Sequence, residues 1–172
     1  KGEVAFSLST RDFPEEGPVG CWAMLPEDQV QGYGTVHLAV TEFNLSLSTV
    51  RTVYLVGEEI PVEVTAKSPA QKPVEASVAI AVGRIDGDGE VEAGKQSAAL
   101  TKDAATGKTV FKFDKGGRHV LRASATDRMG NTVTAQREIF VSGDDDEIKV
   151  RILSNAASFK AGEKPEVTLV SR

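Results

Sequence analysis

Residues 60–66 read Ile60-Pro61-Val62-Glu63-Val64-Thr65-Ala66. Apolar and polar side chains alternate at nearly every step, a period of two. Such a segment is a β-strand with one face on a core and the other in water. A helix would need apolar residues at three- and four-residue spacing. The same alternation recurs in Phe43-Asn44-Leu45-Ser46-Leu47 and at Leu121, Ala123 and Ala125. Further strand-like runs cover 3–9, 19–25, 33–40, 74–82, 96–100, 108–113, 132–141, 148–153 and 166–170. Turn-forming residues separate them: Pro14-Glu-Glu-Gly17, Gly57-Glu58, the stretch from Ser68 to Pro73, Asp86-Gly-Asp-Gly89, Thr106-Gly107 and Asp114-Lys-Gly-Gly117. No amphipathic helix is legible. Many short strands at roughly 8–12 residue spacing predict an all-β protein of the immunoglobulin-like sandwich kind.

Two local patterns refine this. Asp127-Arg-Met-Gly130-Asn131 lies between two alternating runs. Asp accepts backbone hydrogen bonds at the start of a tight turn, and Gly supplies a positive φ. The pattern predicts a hairpin joining 117–126 to 132–141, with Asp127 as a turn cap. The second pattern is a repeat. Tyr54-Leu-Val-Gly57-Glu58 precedes Ile60 to Val64, and Phe159-Lys-Ala-Gly162-Glu163 precedes Pro165 to Leu169, 162 − 57 = 105 residues later. That offset is one immunoglobulin-sized unit and suggests tandem sandwiches. The expected division is the last strands of a preceding domain at 1–40, a complete seven-stranded-type sandwich at 41–142, a linker at 143–146 and the first strands of a following domain at 147–172. The chain starts and stops mid-pattern, as expected of a piece of a longer polypeptide.

The 172 residues are 40% apolar, enough to bury a core, and 26% charged with a net charge of −5. Lys and Arg do not cluster, which argues against a phosphate-binding groove and therefore against nucleic acid. Apolar stretches such as Ala76 to Val82 fall far short of the roughly 20 residues a membrane-spanning helix needs. No basic start with an apolar run behind it marks a signal peptide.

Taken together, the chain resembles the macroglobulin-like β-sandwich domains of the α2-macroglobulin family, the bacterial type most closely. Leu25-Pro26 with Gly32-Tyr33 is similar to an end-of-domain strand pair, and Glu42-Phe43 to the entry into the next domain. Tyr54-x-x-Gly57-Glu58, followed by Val62, Val64, Ala66, Pro73-Val74 and Val78, resembles the first hairpin. Gly117 to Ala125 with Asp127-x-x-Gly130-Asn131 resembles the last, and Phe159-x-x-Gly162-Glu163 begins another copy. His119 departs from the pattern, where Tyr or Phe is common. The resemblance implies a large extracellular or periplasmic (cell-envelope) parent. Its stacked domains ring a protease bait segment, and a separate domain usually carries a Cys-Gly-Glu-Gln thioester. Here Cys21 is followed by Trp-Ala-Met, so that motif is absent, and no loose bait segment is visible. The implied role is scaffold: a non-catalytic structural and interaction module of a protease inhibitor. Its partners would be neighbouring domains of the parent, a protease trapped by the parent, and a second copy paired through open strand edges. A tandem adhesion or ligand-binding module of a cell-surface protein is the alternative, and an accessory β-domain of a secreted enzyme a third reading.

No catalytic, cofactor or metal residue is assigned from the sequence, and each candidate has a plain structural reading. Cys21 is expected as a small buried hydrophobe on a strand, since a nucleophile would need a base and the two histidines, His37 and His119, sit in strand-like runs. Asp86-Gly-Asp88-Gly-Glu90 spaces carboxylates like a calcium loop, but Val91 and Ser97 stand where an EF-hand needs Gly and Glu. It reads as a solvated turn. Asp144-Asp-Asp-Glu147 reads as a hydrated hinge, or as an interdomain calcium site. Trp22 and Tyr33 lie in the N-terminal strands, and Trp22 reads as an anchor in the core or at a domain interface, with a ligand platform as the alternative.

Overall fold

In the computed structural model, the residues described are 5, 7, 9, 13, 16–25, 27, 30–101, 106–148, 150–156 and 158–171. Among them the protein is all-β, with twelve strands and no helix. It divides into two compact units, Lys1–Glu42 and Phe43–Arg172.

The first unit carries an antiparallel hairpin of β1 (Gly17–Leu25) and β2 (Val30–Leu38), with Trp22 directly opposite Tyr33. Of the strand read at 3–9, Ala5, Ser7 and Ser9 are not in a strand. Its other residues, and residues 14 and 15 of the turn read at 14–17, lie outside the described residues.

The second unit is built on a sandwich. Its smaller sheet runs β3 (Asn44–Thr49), β5 (Glu59–Lys67) and β8 (Thr106–Lys112), in that order. The larger runs β4 (Val53–Leu55), β10 (Thr132–Ser142), β9 (Gly117–Thr126), β6 (Ala76–Asp86) and β7 (Gly89–Leu100). The alternation read from the sequence becomes the core. Ile60, Val62, Val64 and Ala66 from β5 are fully buried, as are Leu121 and Ala123 from β9. Phe43, Val78, Ile80, Val82, Leu100, Phe111 and Val141 belong to the same cluster.

Eight strands form where a seven-stranded type was expected, because the first strand breaks in two. β3 pairs with β5 in one sheet, and three residues later β4 runs parallel to β10 in the other. Tyr54, 1% exposed, pins the switch: its hydroxyl accepts from Arg51 N at 3.1 Å, and the Arg51 guanidinium lies 4.8 Å over its ring. Thr106-Gly107, read as a turn, is instead strand. Gly107 pairs with Val64, and a Cβ there would sit 2.8 Å from Leu100 Cδ2 and 3.0 Å from Ala98 Cβ. This glycine marks close packing between the sheets, not a bend.

The repeat is reproduced in geometry. Leu55 N donates to Glu58 Oε2 at 2.9 Å, and Lys160 N donates to Glu163 Oε2 at 2.8 Å. Gly57 and Gly162 hold φ at 79° and 92°. Each turn sets the register of its hairpin. Leu45 pairs with Ala66 and Leu47 with Val64 in β3–β5. The corresponding pairs in β11 (Val150–Ser154) and β12 (Val167–Ser171) are Val150 with Ser171 and Ile152 with Leu169, every residue shifted by 105.

Replacing Gly107 by Ala should therefore overpack the core. The expected cost is about 1–3 kcal/mol in denaturant unfolding. Val110→Ala, on an exposed position of the same strand, should cost well under 1 kcal/mol.

Candidate functional site

The residues with chemical potential are dispersed, and most are held by structural partners. Cys21 is half-buried, not buried as expected. It pairs with Gly34, while His37 pairs with Pro18. Strand alternation puts Cys21 and His37 on opposite faces, so they cannot act as nucleophile and base.

His119 is 1% exposed in the sandwich. Its Nδ1–H donates to Gly117 O at 3.1 Å, and its ring stacks on Phe113 at 4.3 Å between centroids. It fills the aromatic position by burying an imidazole flat against a phenyl ring. Burial pulls its pKa below the usual histidine value, nearby Arg84 lowers it further, and the Gly117 hydrogen bond opposes them.

Two of the three carboxylates at 86–90, those of Asp86 and Glu90, are paired with guanidinium groups. Asp86 and Gly89 pair across a two-residue loop, with Gly87 at φ 59°. Asp86 Oδ2 accepts from Arg84 at 2.7 Å. Glu90 crosses β6 and forms a two-pronged pair with Arg122 on β9, its Oε2 at 2.8 Å from Nη2. The crossing is possible because Gly83, at a register shift in β6, leaves room for the Glu90 side chain. That pair holds the Glu90 carboxyl below its ordinary pKa, against a smaller opposing effect of desolvation. Nothing in the spacing of Glu90 and Arg122 along the chain marks this link across three strands.

Asp127 is buried, and Oδ1 accepts from Met129 N at 2.9 Å and Asn131 N at 2.8 Å, so the capping role read from the motif is its role in the fold. The acidic segment at 144–147 is not simply a hydrated hinge. Asp146 Oδ2 accepts from Ser142 Oγ at 2.5 Å and from Arg151 Nη2 at 2.8 Å, and the Arg151 guanidinium lies 5.3 Å from the Phe140 ring centroid. Burial would raise the Asp146 pKa, but Ser142, the backbone at Gly143 and Arg151 outweigh it and hold it below the ordinary value. A cleft of about 550 Å³ beside it is lined by Arg84, Lys115 and Asp114 as well as Asp144 to Asp146, so its charges are mixed. Among the described residues, no three His, Cys, Asp or Glu side chains gather as a metal set.

What remains is apolar surface. Trp22 and Tyr33 are 66% and 75% exposed, with Met24 also exposed beside them. Tyr33 lies over Gly20, where a Cβ would meet its hydroxyl at 3.1 Å, so the missing side chain lets the ring lie across β1. Trp22, Gln31, Gly32 and Tyr33 line a shallow open groove.

No family model matches this chain, and no curated protein matches it. Solved structures are similar over part of it. The PmoD soluble domain from Methylocystis sp. ATCC 49242 is 13% identical, with 61% of this chain and 94% of that one covered and a TM-score of 0.41. The superoxide reductase (neelaredoxin) from Ignicoccus hospitalis is 14% identical over 58% of this chain and 80% of its own, at 0.44. The cohesin module from the Clostridium perfringens ATCC13124 family 33 glycoside hydrolase is 14% identical over 61% of this chain and all of its own, at 0.39. No enzyme family is identified among these comparisons.

The His119 environment yields a pH prediction. The folded-state pKa lies below the unfolded value of about 6.5, so the unfolded chain binds the extra proton as the medium turns acid. Stability is full above that value and falls as pH drops through the folded pKa, by at most about 1.4 kcal/mol per pH unit for one proton. His119→Phe should flatten this part of the profile in urea unfolding followed from pH 7.5 to 5. A variant as pH-dependent as the parent over that range would assign the slope elsewhere.

Proposed function

We propose that the chain is a non-catalytic structural and interaction module of an α2-macroglobulin-like protease inhibitor, working in the extracellular space, the periplasm or the cell envelope. The observation that supports it most is the repeated architecture. A closed sandwich is followed, at a fixed offset of 162 − 57 = 105 residues, by a second hairpin with the same Gly-Glu turn and the same strand register. Serial units of one size suit a protein whose work is to hold geometry over distance. The dispersed and paired state of Asp86, Glu90, His119, Asp127 and Asp146 fits a scaffold better than a reaction centre. Asp146 and Arg151 join the end of β10 to the start of β11, which would fix the angle at which a following unit leaves the sandwich. On this reading the direct partners are neighbouring domains of the parent, and a protease is bound by the parent as a whole.

A second reading, a tandem immunoglobulin-like adhesion or ligand-binding module, draws on the exposed Trp22–Tyr33 pair, since facing aromatics offer stacking area to a sugar or peptide. One experiment separates the two. The parent protein is incubated with endopeptidases of several classes, and the residual activity is measured on a small peptide and on a large protein. A protease enclosed by a scaffold should keep the first activity and lose most of the second. Undiminished cleavage of the large substrate, together with Trp22-dependent binding to immobilised glycans, would favour adhesion.

A further inference from the structure

The β1–β2 hairpin has two unlike faces, because strand alternation sends odd and even positions of β1 to opposite sides. One face carries Val19, Cys21 and Leu25 with Val30, Val36 and Leu38, the aliphatic kind of residue a sandwich core takes. The other is built from three consecutive cross-strand pairs: Gly20 with Thr35, Trp22 with Tyr33, and Met24 with Gln31. The repeat distinguishes the outward face. Shifted by 105 residues, Val36 falls on Val141, which is fully buried, whereas Gln31 and Tyr33 fall on Gln136 and Glu138, which are exposed. The same register sets Trp22 in the place of Val120, opposite Glu138. Val120 is buried, so packing in this fold asks only for an aliphatic side chain there, yet Trp22 stands 66% exposed.

Three properties of the outward face narrow what it can bind. It is uncharged: none of its six residues is Asp, Glu, Lys or Arg, in a chain of which 26% is charged. One ring is positioned in advance. Tyr33 lies across β1 over Gly20, and its hydroxyl accepts from Thr35 Oγ1 at 3.2 Å. Ordering a ring before the ligand arrives lowers the cost of binding. The binding groups are also free. Among the described residues, Trp22 and Tyr33 stack on no other ring and carry no cation, and the Trp22 indole N–H and the Gln31 amide make no hydrogen bond. Nucleic acids and acidic glycans call for cations that this face lacks. An uncharged pyranose chain matches it. The C–H face of a sugar ring covers an aromatic ring, and the sugar hydroxyls meet an indole N–H, a phenol and an amide.

We propose that the Trp22–Tyr33 face binds an uncharged oligosaccharide, with the two rings as stacking surfaces and Gln31 as a hydrogen-bonding group beside them. Gly20 and Thr35 are positioning residues for Tyr33. The inference rests on the aromatic pair that the second reading draws on and names its ligand class; it does not depend on protease inhibition.

Trp22 is the only tryptophan in the chain, so its fluorescence reports this face alone. The whole chain is titrated with soluble cello-, xylo-, manno- and maltohexaose. At least one of them should shift the emission to shorter wavelength and shield it from acrylamide, saturating by about 10 mM. The response should be the same at about 0.05 M and about 0.5 M salt, since no charges are paired. By calorimetry, Trp22→Ala and Tyr33→Ala should each weaken binding about tenfold or more. Gly20→Val, whose side chain would displace the Tyr33 ring, should weaken it with both rings present. All three positions are exposed, so thermal unfolding should match the parent and serves as the folding control. Three results would overturn the proposal. No hexasaccharide could change the emission. Binding could persist undiminished in both alanine variants. Or Trp22 in the dilute chain could already be shielded from acrylamide, as it would be if protein covered the face. A parent that adheres to a peptide through Trp22 and ignores every hexasaccharide would overturn this inference and leave the adhesion reading standing.

Discussion

The structure depends on the burial of one strand against another across the sandwich. Val62, Val64 and Ala66 of β5 and Leu121, Ala123 and Ala125 of β9 belong to one core cluster. Apolar area taken from water at this density is the main source of stability for so small a domain. The rest follows from keeping the two sheets close. Gly107 has no side chain because Leu100 and Ala98 already fill its space. The first strand divides into β3 and β4 so that each sheet gains an edge, and Tyr54 locks the crossing from inside. Asp127 and Gly130 hold the β9–β10 turn, so that the long strands stay in register.

The alternation that placed β3, β5, β9 and β10 was legible because one buried face leaves a period of two. The Gly-Glu turns were legible because a positive φ followed by a carboxylate that binds back to the backbone has few sequence solutions. Other features left weaker traces. The first half of β7, with Glu90, Glu92 and Gly94, lies at a sheet edge where its side chains meet water or cross to Arg122, so no apolar period marks it. β4 has only three residues. His119 was legible as a strand residue but not as a buried ring, because its position is defined by Phe113 and Gly117 across a turn. The clamp of Asp146 on Ser142 and Arg151 joins residues that read in sequence only as a charge run.

The titratable groups that catch the eye in the sequence are spent on holding the fold. Glu90 ties β7 to β9, Asp127 caps a turn, Asp146 closes a junction, and His119 is packed neutral against an aromatic ring. Among the described residues, large exposed apolar side chains concentrate on β1–β2 and β11–β12. On the scaffold reading proposed above, function lies in how units join.

Hydrogen exchange read strand by strand in dilute solution tests this account most directly. Amides of β5, β6, β9 and β10 should exchange only through global opening, while those of β11–β12 and β1–β2 should exchange orders of magnitude faster through local opening. Protection of β11–β12 equal to that of β5 and β9 in dilute solution would contradict the account, because the exposed apolar side chains of that hairpin would then be covered within a single chain.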